Sequence, residues 1–278
     1  MREEATAFVP GHITGFFSAH SADDPTKAGS RGAGLTLTDG VEVTVTPAMG
    51  SESTSVVLDG EPIDVEPVTT VLETLDAPAH VDVESALPIG SGFGISGAMA
   101  LGTALAVNHV FERKLSRNEL VTIAHGAEVE AGTGLGDVVA QAHGGIPIRL
   151  EPGGPQDNAL DAIPSRARVE YVTFGQLSTA DVLAEDTDQL SAAGKEALSR
   201  VVGEPTLLSL MYASRQFARE AGLLTEDVVE TIGDVTAADG QAAMAMLGET
   251  VFALGTGLSD AGYEPAVCAT HPAGALLR

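Results

Sequence analysis

In the first half of the chain, apolar and polar positions alternate. In "GAGLTLTDGVEVTVTPAM", Leu35 and Leu37 and then Val41, Val43 and Val45 fall on one face, with Asp39-Gly40 between them. A period of two marks a strand, and Asp-Gly is a favoured two-residue turn, so this stretch predicts a hairpin. "ATAFVPGHITGFF" predicts a short strand that stops at Pro10-Gly11. "TSVVLDGEPI" predicts another strand turning at Asp59-Gly60, and "PAHVDVESALP" one more that ends at Pro88.

The pattern then changes. Ile95 to Phe111 is small and apolar without alternation, which predicts a buried helix. Ser116-Arg117-Asn118-Glu119 is an S-x-x-E capping box, opening a second helix that runs to about Ala131. "GGIPIRLEP" returns to a strand, and "EPGGPQDNALDAIPSRA" reads as a loop or domain junction. Beyond it, "ARVEYVTFG" predicts a strand and "STADVLAEDTDQLSAAGKEALSRVVGEP" an interrupted helical region. "TLLSLMYASRQFAREAGLL" predicts an amphipathic helix, Thr225 to Ile232 starts another, and "GYEPAVCATHPAG" supplies a last strand. The expected class is α+β, with an N-terminal domain over 1–160 and a C-terminal domain over 161–278.

Charge narrows the partners. Asp and Glu total 39 against 14 Lys and Arg, a formal net charge of −25, and the lysines are Lys27, Lys114 and Lys195 alone. Such a surface repels nucleic acid and anionic lipid, so neither is expected as a partner. The acids are dispersed among apolar residues, unlike those of an acidic disordered tail. With lysine this scarce, the pattern points to a high-salt cytoplasm; an ordinary acidic enzyme is the alternative. The single cysteine, Cys268, excludes an intramolecular disulfide and fits a reduced, cytoplasmic setting. "MREEATAFVPGH" has no apolar signal core, and no stretch has the roughly 18 consecutive apolar residues of a spanning helix.

The candidate chemistry starts at "SALPIGSGFGISGAMA". Gly92 to Gly97 spells G-x-G-x-x-G. A dinucleotide fold needs a second parallel strand after the helix, carrying an acid about 20 residues on. Here a second capped helix follows instead. A Walker A loop needs a lysine, and none lies near. The remaining readings are a phosphate cradle at a helix N-terminus and a plain turn before a close-packed helix. "IAHGAEVEAGTGLGDVVAQAHGGIPIRL" favours the cradle. His125 and Glu128 share a helix face, Asp137 follows a Gly-rich turn, and Arg149 sits inside an apolar strand. Capping is the ordinary role for Asp137, and an edge-strand position the ordinary one for Arg149. A hydroxyl at a helix start, two carboxylates and an arginine are also the parts that metal-dependent phosphoryl transfer needs.

Together these residues resemble the GHMP small-molecule kinase superfamily. Its P-x-x-x-G-L-G-S-S-A-A loop stands here as Pro88-Ile-Gly-Ser-Gly92-Phe-Gly94-Ile-Ser96-Gly-Ala98, departing at Phe93, Ile95 and Gly97. "PGHITGFFSAH", "KAGSRGAGLTL", "AHGAEVEAGTGLGDVVAQAHGGIPIR" and "GQAAMAMLGETVFAL" resemble the archaeal subgroup that acts on pantoate. The resemblance implies a ribosomal protein S5 domain 2-like N-terminal domain and a ferredoxin-like C-terminal domain. It implies ATP binding by Pro88, Gly90, Ser91, Gly92, Gly94, Ile95, Ser96 and Gly97, with Ser96 and Glu128 as Mg²⁺ ligands. Asp137 becomes the base or orienter, and Ser30, His125 and Arg149 bind pantoate. Mevalonate and homoserine remain alternative substrates, as does a non-catalytic nucleotide binder, and a homodimer is left open. Several kinases of the superfamily carry a lysine near the catalytic Asp. Here that neighbourhood has His12, so charge support falls to Mg²⁺, the helix N-terminus and Arg31 or Arg149. Gly240 to Gly248 is expected near the site, with no role assigned.

Overall fold

The computed structural model describes residues 2–48, 54–176 and 188–278. The first sheet is built on two long antiparallel strands, β1 (Ala5–His20) and β2 (Gly29–Pro47). They pair from Ala5–Val45 to His20–Gly29, so residues 21–28 connect them. This corrects two expectations. Pro10-Gly11 does not end β1, and Asp39-Gly40 is not a turn, because Pro10 lies opposite Gly40 inside one ladder. The register shifts between Pro10 and His12, a bulge that bends the pair where proline cannot donate. A Cβ on Gly40 would lie 2.2 Å from the Val9 carbonyl oxygen, so glycine permits the close pairing that the dipeptide seemed to interrupt.

β3 (Ser55–Leu58), β4 (Glu61–Pro62), β5 (Ala79–Ser85), β6 (Pro147–Glu151) and β7 (Ala159–Ala162) complete most of this sheet. The Asp59-Gly60 turn between β3 and β4 is as expected, both residues having positive φ. α1 (Glu66–Thr74) had no counterpart in the sequence reading; Pro67 sits in its first turn, where its missing N–H costs nothing. α2 (Ile95–Val110) packs against β1, β2 and α3 (Arg117–Glu130), and it is buried almost all round. Both partners of the Ser116–Glu119 capping box are in place at the start of α3. α4 (Asp137–His143) follows.

The second sheet holds β8 (Arg168–Gln176), β9 (Gln241–Ala245), β10 (Gly248–Leu254) and β11 (Ala266–Ala269). Its antiparallel order is β11-β8-β10-β9, the 4-1-3-2 arrangement of a ferredoxin-like sheet. α5 (Asp188–Gly203), α6 (Leu207–Glu220), α7 (Glu226–Ala237) and the short α8 (Gly257–Asp260) complete it. The first ten residues of the expected interrupted helical region, 178–187, lie outside the described residues, and most of the remainder forms α5. The chain end then crosses back: β12 (Leu276–Leu277) pairs with β1 in the first sheet. Ala275 also donates its N–H to the Gln141 carbonyl on α4, at 2.9 Å.

Candidate active site

A cavity of about 530 Å³ opens where the loop before α2, the turn before α4 and the β9–β10 turn meet. Gly90, Gly92, Gly94, Ile95 and Ser96 line one wall. Gly94 is the N-cap of α2 with φ of +62°, a left-handed position that glycine fills without strain. A Cβ there would meet the Asp137 side chain at 2.9–3.0 Å. The first amides of α2 lack intrahelical acceptors, so this wall attracts anions. Gln141 on α4 steadies it by donating to the Gly94 carbonyl at 2.8 Å.

Glu128 and Ser96 meet at the cavity edge, the Ser96 hydroxyl donating to Glu128 Oε2 at 3.1 Å. Glu128 is buried, and burial followed by the nearby Asp137 charge pushes its carboxyl up to about 8; the Thr133 and Ser96 hydroxyls oppose this in part. A buried carboxylate short of positive charge is a fitting partner for a cation. Among the described residues no group of three His, Cys, Asp or Glu could hold a metal. The fit is therefore to an ion shared between a carboxylate, a hydroxyl and phosphate oxygens, as Mg²⁺ favours, rather than to an all-protein cage.

Asp137 heads α4 and exposes 22% of its side chain to the cavity. Its Oδ1 accepts from His12 Nδ1 at 2.7 Å. Burial pushes this carboxyl up, but the hydrogen bond from His12 and the Arg149 guanidinium hold it below its usual range. His12 itself is fully buried, and burial pulls its imidazole down. Arg149 on β6 is 1% exposed, and its Nε and Nη1 have no partner. A Cβ on Gly136 would lie 2.5 Å from Ser30 Oγ and 2.6 Å from Arg149 Nε. The glycine thus leaves room for serine and arginine to converge on the same corner. Ser30 also donates to the Leu135 carbonyl at 3.3 Å.

Of the residues expected in the site, Ser30, Gly90, Gly92, Gly94, Ile95, Ser96, Glu128, Asp137 and Arg149 line the cavity. Pro88, Ser91, Gly97 and His125 do not. His125 is buried and donates Nε2–H to the Ala28 carbonyl at 2.9 Å, behind the Ala28–Ser30 backbone. Ser91 is buried and its carbonyl accepts from Thr250 at 2.8 Å. Gly97 faces Val138 and Glu128 from inside α2. Arg31 pairs with Glu151 and also lies off the lining, so Arg149 is the arginine of the two that faces the cavity.

Sequence reasoning gave no role to His12, Thr14, Thr133, Gly134, Leu135, Met246 and Leu247. His12 was detectable as a polar residue inside an apolar strand. Met246 and Leu247 fall within the 240–248 stretch expected near the site without a role, and they line the cavity; Met246 N–H donates to the Thr14 carbonyl at 2.9 Å.

A helix-mounted glycine loop, a serine–glutamate pair and an aspartate beside a buried arginine define a small-molecule kinase of the GHMP type, and the chain belongs to that family. Residues 66–145 match the family model "GHMP kinases N terminal domain". The chain is 36% identical to the pantoate kinase of Thermococcus kodakarensis over 261 residues, covering 89% of this chain and 86% of that one. It is 35% identical to the pantoate kinase of Methanospirillum hungatei over 258 residues, with 90% and 87% covered. A solved structure described as a phosphotransferase related to the CoA biosynthesis pathway superposes with a TM-score of 0.89 at 31% identity, covering 99% of this chain and 98% of the other.

Proposed function

We propose that this chain transfers the γ-phosphoryl group of ATP to the primary hydroxyl of pantoate, giving 4-phosphopantoate for coenzyme A biosynthesis in the cytoplasm. The observation that carries the substrate class is Arg149. A guanidinium with two unpartnered nitrogens, buried beside the Ser30 hydroxyl, is a built receptor for a carboxylate. Similarity to pantoate kinases along nearly the whole chain supports the particular acid.

The roles follow from placement. Ser30 and Arg149 hold the carboxylate end, and His125 fixes the Ala28 backbone that presents Ser30. Asp137 orients the pantoate hydroxyl and takes its proton as the oxygen–phosphorus bond forms and the bond to ADP breaks. The loop from Gly90 to Ser96 and the α2 amides hold the triphosphate. Glu128 and Ser96 would hold Mg²⁺, which when bound neutralises charge on the phosphate oxygens. Among the described residues no helix is long and apolar enough to cross a membrane.

A coupled ADP-release assay in molar KCl with pantoate, homoserine and mevalonate tests this reading. Pantoate is expected to give turnover well above the other two. Background rates with pantoate, or a higher kcat/KM with homoserine, would reject the substrate assignment.

A further inference from the structure

We propose that His12 is a positioning residue. As a neutral imidazole it donates Nδ1–H to Asp137 Oδ1, so that Oδ2 is the oxygen left to accept the substrate proton. The inference rests on the proposed phosphoryl transfer and adds to it a second residue that acts through Asp137.

The geometry is specific. The register shift after Pro10 falls directly before His12, whose backbone N–H donates to the Phe93 carbonyl in the phosphate loop at 2.9 Å. The imidazole is 0% exposed and lies 2.7 Å from Asp137 Oδ1. Space for it comes from Gly34 on β2, where a Cβ would stand 2.5 Å from His12 Nε2. His12 is thus tied by backbone to the triphosphate wall and by side chain to the proposed base.

Its other nitrogen settles the tautomer. Nε2 is buried and has no hydrogen-bond partner. A proton there would be an unsatisfied buried donor, and an imidazolium would add a buried charge beside Arg149. The carboxylate on the Nδ1 side can only accept. Both facts favour the neutral Nδ1–H form. Leucine would fill this space without an orphaned nitrogen, so what the imidazole adds is the bond to Asp137. With no partner at Nε2, His12 is no proton relay. The proton leaves the substrate hydroxyl for Asp137 Oδ2 and departs through the cavity.

Two variants separate positioning from packing. His12→Leu removes the donor, whereas His12→Asn places an amide N–H near the Nδ1 position. A misaligned reacting group loses on the order of 100-fold in rate, and this is the expected fall in kcat for His12→Leu, with KM for ATP nearly unchanged. His12→Asn is expected to recover most of that loss. The charged and titratable groups facing Asp137 are His12 from β1, Arg149 from β6 and Glu128 from α3. Removing His12 removes a lowering influence, so the acid limb of the kcat profile moves to higher pH in His12→Leu. Wild-type kcat and an unshifted profile in His12→Leu would overturn the proposal. Equal kcat losses in both variants, matched by equal falls in Tm, would assign His12 to packing alone.

A third measurement needs no functional variant. Nitrogen-15 spectra of histidine-labelled wild-type protein are expected to show the neutral Nδ1–H tautomer at His12, identified by the signal missing from His12→Asn, or by proximity to the Phe93 carbonyl if that variant does not fold. An Nε2–H tautomer or an imidazolium at neutral pH would overturn the proposal. A wild type that turns over no acceptor would instead reject the proposed function, and the spectrum would still judge the His12–Asp137 pair.

Discussion

Glu128 and Arg149 occupy the same cavity with opposite electrostatic problems. Glu128 is a carboxyl that burial and Asp137 push from 4.5 to about 8. Below that value it holds a proton that a cation must displace. Affinity for Mg²⁺–ATP is therefore expected to rise with pH up to about 8 and then level off, which calorimetric titrations across that range would detect. A pH-independent affinity would count against Glu128 as a ligand. The sign for stability is the reverse. The folded carboxyl binds its proton more tightly than the unfolded one, so this group's contribution is lost as pH rises from 4.5 through about 8. Glu128→Gln should then raise the Tm of the ligand-free protein at alkaline pH while weakening Mg²⁺–ATP binding. Arg149 is a cation without enough partners, and Arg149→Ala should raise the KM for pantoate by roughly 10- to 100-fold with little change for ATP. Equal effects on both substrates would remove it from the carboxylate site. Glu128 was visible in the sequence as a carboxylate sharing a helix face with His125, and Arg149 as a charge inside an apolar strand. That one lacks positive charge and the other hydrogen-bond acceptors was not visible, because burial depends on distant strands.

At the scale of elements, the β9–β10 turn is the piece the pattern left without a role. It seats the second half of the chain on the phosphate loop. A Cβ on Gly248 would fall 2.2 Å from the Ser91 carbonyl carbon, and Thr250 donates to the same carbonyl. Gly248→Ala is expected to displace the loop, weaken ATP binding and lower stability by about 1–3 kcal/mol. Gly233, inside α7, is the contrast, since a Cβ there meets nothing within 4 Å. Gly233→Ala should stabilise by about 0.5–1 kcal/mol through helix propensity. Thermal unfolding of the two variants checks both signs. The capping box of α3 was readable because its bonds are local. The Asp39-Gly40 hairpin was misread for the opposite reason. An Asp-Gly pair is a turn only if the chain reverses there, and here β2 runs on through Gly40, which pairs with Pro10 on β1.

The whole molecule carries a formal charge of −25, and its described ion pairs are mostly exposed ones such as Lys27–Asp24 and Arg278–Glu42. Exposed pairs of this kind add little stability. Salt would screen the remaining self-repulsion, since it shortens the Debye length from about 10 Å at 0.1 M to about 3 Å at 1 M. Tm and activity are both expected to rise with KCl into the molar range. A flat salt dependence would favour the ordinary acidic enzyme. The fold closes at the same scale. The tail returns to the first sheet through β12, and Arg117 donates to the Ala142 and Ala275 carbonyls, so α4 and Asp137 are held partly by the chain's last residues.

Local patterns in the sequence pointed to metal-dependent phosphoryl transfer, and the family resemblance of those motifs supplied the class of protein. A glycine loop before a buried helix, a capped second helix, and carboxylates at Glu128 and Asp137 are short-range patterns, and short-range sterics and hydrogen bonding enforce them. The packing of β1 against β2, the second sheet against the phosphate loop and β6 against α4 settled the rest. It brought His12 to Asp137 across 125 positions of chain, turned His125 away from the cavity toward Ala28, and left Arg149 buried with nitrogens to spare. Which partner a polar side chain finds, and how far water is kept from it, depends on segments far apart in the chain, so no local pattern records it.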